Sequence, residues 1–162
     1  MAERTLVAGI GNIFLSDDGF GCEVARRLAG SPLPQGVSVV DYGIRGMHLA
    51  YDLLDGWDRL VLVDALPGRG DPGRLEILEI RPEHLRAGEV DAHGMDPAAV
   101  LSALAPLGGT LPPTVLVGVQ VADVEERMGL TPLVAAAVPG AVEAVRALLE
   151  GAPLLEPAGQ VS

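Results

Sequence analysis

The sequence predicts a three-layer α/β/α fold on a five-stranded, mostly parallel sheet. Strand-like runs of Val, Leu and Ile alternate along the chain with segments of helical periodicity, a pattern that packs crossover helices on both faces of one sheet. Thr5 to Ile10 (TLVAGI) and Arg59 to Val63 (RLVLV) are apolar enough to be strands buried on both sides. Leu75 to Ile80 (LEILEI) instead alternates apolar with acidic residues, as an edge or half-exposed strand does.

The elements follow in order. The first strand runs into a turn at Gly9-Ile-Gly11-Asn12, and Asp17-Asp18-Gly19 opens a helix in which Phe20, Val24 and Leu28 recur four apart. Ser31-Pro-Leu-Pro34 closes it. Val37 to Val40 is the second strand, ending at Asp41. A short helix follows from Gly46 with Met47, Tyr51 and Leu54 on one face and Gly56 as its stop. The third strand ends at Asp64. Residues 81–95 read as a loop with a turn of helix. Asp96-Pro97 starts the next helix by cap and first-turn proline, with Val100, Leu101, Leu104 and Leu107 as its buried stripe up to Gly108-Gly109. Thr114 to Val119 is the fifth strand. Thr131-Pro132 launches the last helix, through about Leu149, which Pro139 is expected to kink or split. Residues 1–150 read as one domain and 151–162 as a flexible tail.

Composition narrows the function. A chain of 162 residues, 49% apolar, suffices for one core. No apolar stretch reaches the roughly 18 to 20 residues of a membrane span, and the start lacks a basic, cleavable leader, so a cytoplasmic monomer is expected. The lone Cys22 excludes an internal disulfide. A net charge of −11 argues against nucleic acid. Every basic residue is Arg, with no Lys.

Ligands of a doubly wound sheet gather outside the carboxyl ends of the strands, where strand order reverses. With strands one and three adjacent, that crevice brings together Asp18 and Asp64, and His93 precedes a helix that starts at the same edge. Two carboxylates and an imidazole suit a borderline divalent metal and leave coordination positions for water or substrate. Asp17 reads as a helix cap, His48 and His84 as solvated side chains, and Cys22 as a small buried apolar residue. The Gly9/Gly11 pair lacks the third glycine of a dinucleotide fingerprint.

These residues also resemble a family. Gly9-Ile-Gly-Asn-Ile-Phe-Leu-Ser-Asp17-Asp18-Gly-Phe-Gly21 is similar to the opening signature of hydrogenase maturation endopeptidases, with Phe14 in place of a commoner Leu. Asp41 to Met47 (DYGIRGM), Val63-Asp64-Ala65, Asp91-Ala-His93-Gly-Met, Gly118-Val119 and Gly129-Leu-Thr-Pro132 resemble its later motifs in order. The resemblance implies a phosphorylase/hydrolase-like strand order 2-1-3-5-4, strand four antiparallel. It implies an enzyme that removes the C-terminal extension of a [NiFe] hydrogenase large-subunit precursor once nickel has been inserted. Asp18, Asp64 and His93 then fall on both the catalytic and the metal-engaging positions, with the nickel supplied by the precursor. Some members carry Glu at the position of Asp18, one methylene longer. Asp41 is implied as a group near the substrate. The alternatives are a receiver-like signalling domain, which needs a Lys after strand five where this chain has Gln120, and a non-catalytic module that binds a metallated partner.

Overall fold

The computed structural model describes residues 3–83 and 97–151. The strands are β1 (Thr5–Ile10), β2 (Val37–Gly43), β3 (Arg59–Leu66), β4 (Leu75–Ile80) and β5 (Thr114–Gln120). The helices are α1 (Phe20–Ala29), α2 (Gly46–Leu53), α3 (Pro97–Ser102) and α4 (Pro132–Leu149), and a 3-10 turn at Ser16–Gly19 precedes α1. The sheet has the predicted order β2-β1-β3-β5-β4. All pairs are parallel except β4 on β5.

Alternation along the strands divides the core in two. Leu6, Ala8, Ile10, Leu60, Leu62, Leu66 and Leu116 face Leu49, Ala50 and Leu53 of α2 and Val100 and Leu101 of α3. Val7, Val61, Val63, Val117 and Val119 face Phe20, Val24 and Leu28 of α1 and the Val134/Val138/Ala141/Val145 stripe of α4. The period of two thus sends leucines to one layer and valines to the other.

Four expectations change. β2 continues to Gly43 and β3 to Leu66, so Asp41 and Asp64 lie inside strands rather than just beyond them. The longer β3 is held by β5, whose ladder runs on to Leu66↔Gln120, whereas the β1 ladder stops at Gly9↔Val63. In α2 the Met47/Tyr51/Leu54 face is exposed, and Leu49, Ala50 and Leu53 turn inward. α3 stops at Ser102, after which Ala103 and Leu104 donate three residues back to Val100 and Leu101; Leu104 is buried all the same, and Leu107 packs on the core partly buried.

The last helix also departs from expectation, because α4 runs unbroken through Pro139. Its buried stripe stays in register with the sheet while the proline ring faces solvent. Contrary to the expectation that no stretch is long and apolar enough for a membrane span, this helix is 18 residues long with a mean hydropathy of 1.5, enough by length and composition to cross one, but its apolar stripe is packed on the sheet. Pro139→Ala restores an N–H facing the Ala135 carbonyl and should stabilise the chain by roughly 1–3 kcal/mol. Thermal unfolding checks this, the expected change being a Tm higher by about 3–8 °C.

Candidate active site

The turn after β1 is built on close backbone approach. Gly11 has φ +142°, and a Cβ there would lie 1.9 Å from the Asp18 carbonyl oxygen, so only glycine lets the chain fold back over the 3-10 turn. The Asn12 amide donates to Asp18 Oδ2 at 2.9 Å, and the Asn12 side chain accepts from the Phe14 amide at 2.9 Å. At Gly21 a Cβ would stand 2.1 Å from the Val63 oxygen and 2.5 Å from that of Ile10. The first turn of α1 therefore lies directly on β1 and β3, and the Asp18 turn packs against β3.

Asp64 is the first residue of β3 beyond its ladder with β1, while on the other side it still pairs with Gly118 of β5. Its Oδ1 accepts from the Ala65 amide at 2.8 Å. Asp18 and Asp64 are both fully buried. The fold thus brings these two predicted residues to one rim at the carboxyl ends of β1 and β3. His93, like His84, lies outside the described residues. Among the described residues no group of three His, Cys, Asp or Glu side chains could hold a metal ion.

Asp41 flanks the same rim from β2, paired with Gly9. Its Oδ1 accepts from the Gly43 amide at 3.0 Å, and Arg45 Nη2 donates to its carbonyl at 3.0 Å. Cys22 lies between, donating from Sγ to the Gly11 oxygen at 3.6 Å. Burial above all, then its bond to Asp41 and the charges of Asp41 and Asp64, push the thiol far above its ordinary range, opposed only by the Gly43 amide. A thiol held protonated is no nucleophile, in keeping with its reading as a buried apolar residue. Above these groups a cavity of about 440 Å³ is lined by Gly11, Asn12, Phe14, Asp41, Ile44 and Arg45 among others. His48 is exposed, as expected.

Asp17 is not the helix cap that its position suggests. Neither the 3-10 turn nor α1 has a side-chain cap bond. Instead its buried carboxylate accepts from the Ala122 and Asp123 amides at 2.9 and 3.1 Å and from the Thr131 amide at 2.7 Å. The Thr131 hydroxyl donates to it as well, 2.9 and 3.0 Å from its two oxygens. All these donors lie more than a hundred residues away, so no local pattern announces them; the doubled acid of Asp17-Asp18 was the one available signal.

The chain is similar to known proteins along most of its length. A family model described as hydrogenase maturation protease matches residues 22–148. The hydrogenase 2 maturation protease of Escherichia coli is 36% identical over 151 residues, covering 90% of each chain. The hydrogenase expression/formation protein HupD of Bradyrhizobium diazoefficiens is 37% identical over 136 residues, 80% of this chain and 69% of that protein. Among solved structures, the hydrogenase maturating endopeptidase HybD from Escherichia coli superposes with a TM-score of 0.77 at 35% identity, covering 91% and 92% of the two chains. The [NiFe] hydrogenase maturation protease HybD from Thermococcus kodakarensis gives 0.73 at 26% identity over 90% and 99%.

Proposed function

The chain belongs to the hydrogenase maturation protease family, and from that membership we infer that it cuts the C-terminal extension from a [NiFe] hydrogenase large-subunit precursor that already carries nickel. The observation that carries this reading is the convergence of Asp18 and Asp64, two fully buried carboxylates from distant parts of the chain, on one strand-end rim. Acidic side chains gathered at such a rim are candidates for acid–base or cation-binding roles. Oxygen donors joined by the imidazole of His93 suit nickel as a borderline cation.

On this reading the nickel is part of the substrate. Asp18, Asp64 and His93 engage it and so seat the scissile peptide bond over the rim. A carboxylate takes a proton from the attacking water as its oxygen adds to the carbonyl carbon, and hands that proton to the amide nitrogen as the C–N bond of the adduct breaks, releasing the new carboxyl terminus and an amine. Cys22, held as a thiol, takes no part in the bond making. A cytoplasmic site of action fits the free thiol at Cys22.

The test is incubation with a nickel-loaded precursor followed by sequencing of what is released. One peptide from the C-terminus is expected; internal cuts, or none, would overturn the reading. The approach to the rim is apolar, since Phe14 and Ile44 are 62% and 63% exposed beside the cavity. Exposed apolar groups next to a site are typical of a surface that meets a partner. Phe14→Asp should raise KM for the precursor by roughly tenfold with an unchanged Tm, measured by processing kinetics over a range of precursor concentrations.

A further inference from the structure

The loop of residues 121–131, between β5 and α4, is fastened at several points to residues 14–17. Backbone bonds join Ser16 N to Arg127 O at 2.8 Å, Asp17 N to Asp123 O at 3.1 Å and Arg127 N to Phe14 O at 3.0 Å. The Ser16 hydroxyl donates to the Gly129 oxygen at 3.1 Å. Ser16 itself sits at φ +51°, a left-handed conformation that a residue with a side chain adopts at a cost and keeps only where its surroundings impose it. At the centre is the Asp17 carboxylate, with bonds from three amides and one hydroxyl of this loop. Charge-assisted bonds of this kind are short and directional.

Such a brace exceeds what starting a helix requires. The Thr131 hydroxyl makes no cap bond in α4; it is turned onto Asp17 instead. The braced turn presents Asp18 to Asn12 and to the rim. We propose that Asp17 is the positioning residue of this site: by tying loop 121–131 to the strained Ser16 turn, its carboxylate fixes the direction in which the Asp18 side chain points. The proposal rests on the reading of Asp18 as a nickel-engaging group for its functional consequence, but not for its geometry.

The Asn12 amide, which donates to Asp18 Oδ2, reports that geometry in the protein alone, without metal or precursor. Its proton resonance and solvent exchange should be followed by NMR in wild type, Thr131→Val, Thr131→Ser and Asp17→Asn. Leu148→Ala, a core variant at the far end of α4, controls for lost stability. Thr131→Val keeps the amide bond to Asp17 and removes only the hydroxyl, so it remains informative if Asp17→Asn fails to fold. Thr131→Val should move the Asn12 proton upfield, speed its exchange and lower kcat/KM for the precursor roughly 10- to 100-fold. Thr131→Ser should restore all three, and Leu148→Ala should leave the Asn12 proton in place. An Asn12 resonance unmoved in Thr131→Val, or moved equally in Leu148→Ala, overturns the proposal. A moved resonance with unchanged processing upholds the positioning of Asp18 and discards the nickel reading of that residue instead.

Discussion

Asp18→Asn should leave a folded protein that no longer processes the precursor. The asparagine has the same shape, and its side-chain oxygen can still accept the Asn12 amide now bonded to Asp18 Oδ2 at 2.9 Å. Replacing a fully buried carboxylate by a neutral amide also removes a desolvation cost, so stability should stay within about 1 kcal/mol of wild type. What is lost, on the proposed function, is the negative charge that would meet a cation-bearing substrate. A loss of about 4 kcal/mol of transition-state stabilisation corresponds to roughly a thousandfold fall in kcat/KM. Mass analysis of the product over time measures the rate, and circular dichroism with thermal melting measures the fold. Processing within a few fold of wild type would remove Asp18 from the site.

Gly21→Ala should cripple the fold, against what helix propensity predicts. Gly21 is buried in the first turn of α1, where alanine would ordinarily gain about 1 kcal/mol over glycine. Here the added Cβ would meet the Val63 oxygen at 2.1 Å, the Ile10 oxygen at 2.5 Å and the Val63 carbonyl carbon at 2.9 Å. Backbone in the middle of a sheet cannot step aside as a flexible side chain can. The helix must lift from the strands, taking with it Phe20, Val24 and Leu28. The cost should be about 3–5 kcal/mol, seen as a Tm lower by roughly 10 °C or more. A variant as stable as wild type would mean that α1 does not pack at the distance described.

Much of this architecture is legible in the sequence because burial leaves few choices. The apolar runs at residues 5–10 and 59–63 had to be interior strands, and the acid-bearing Leu75–Ile80 had to sit at an edge. Both follow from what each strand has on its two faces. Strand ends were less legible, since Asp64 extends β3 only because β5 continues beside it. The sequence of α2 carries apolar residues on both faces, so periodicity alone could not choose Leu49, Ala50 and Leu53 over Met47, Tyr51 and Leu54; packing chose.

The site was legible in part for a similar reason. A parallel sheet delivers residues to its carboxyl edge, so Asp18 and Asp64 could be paired from strand ends alone. Asp17 could not be read, because its partners at 122, 123 and 131 belong to a loop that only the folded sheet brings back. An isolated acid before a helix looks like a cap until the residue that answers it is known.

On the proposed function, the rim formed by Asp18 and Asp64 reads nickel on the precursor. Intact-mass analysis of nickel-loaded and nickel-free precursor, each incubated with the wild-type chain, tests it most directly. Only the loaded precursor should lose the mass of a C-terminal peptide, while the nickel-free form keeps its full mass. Equal shortening of both would contradict it.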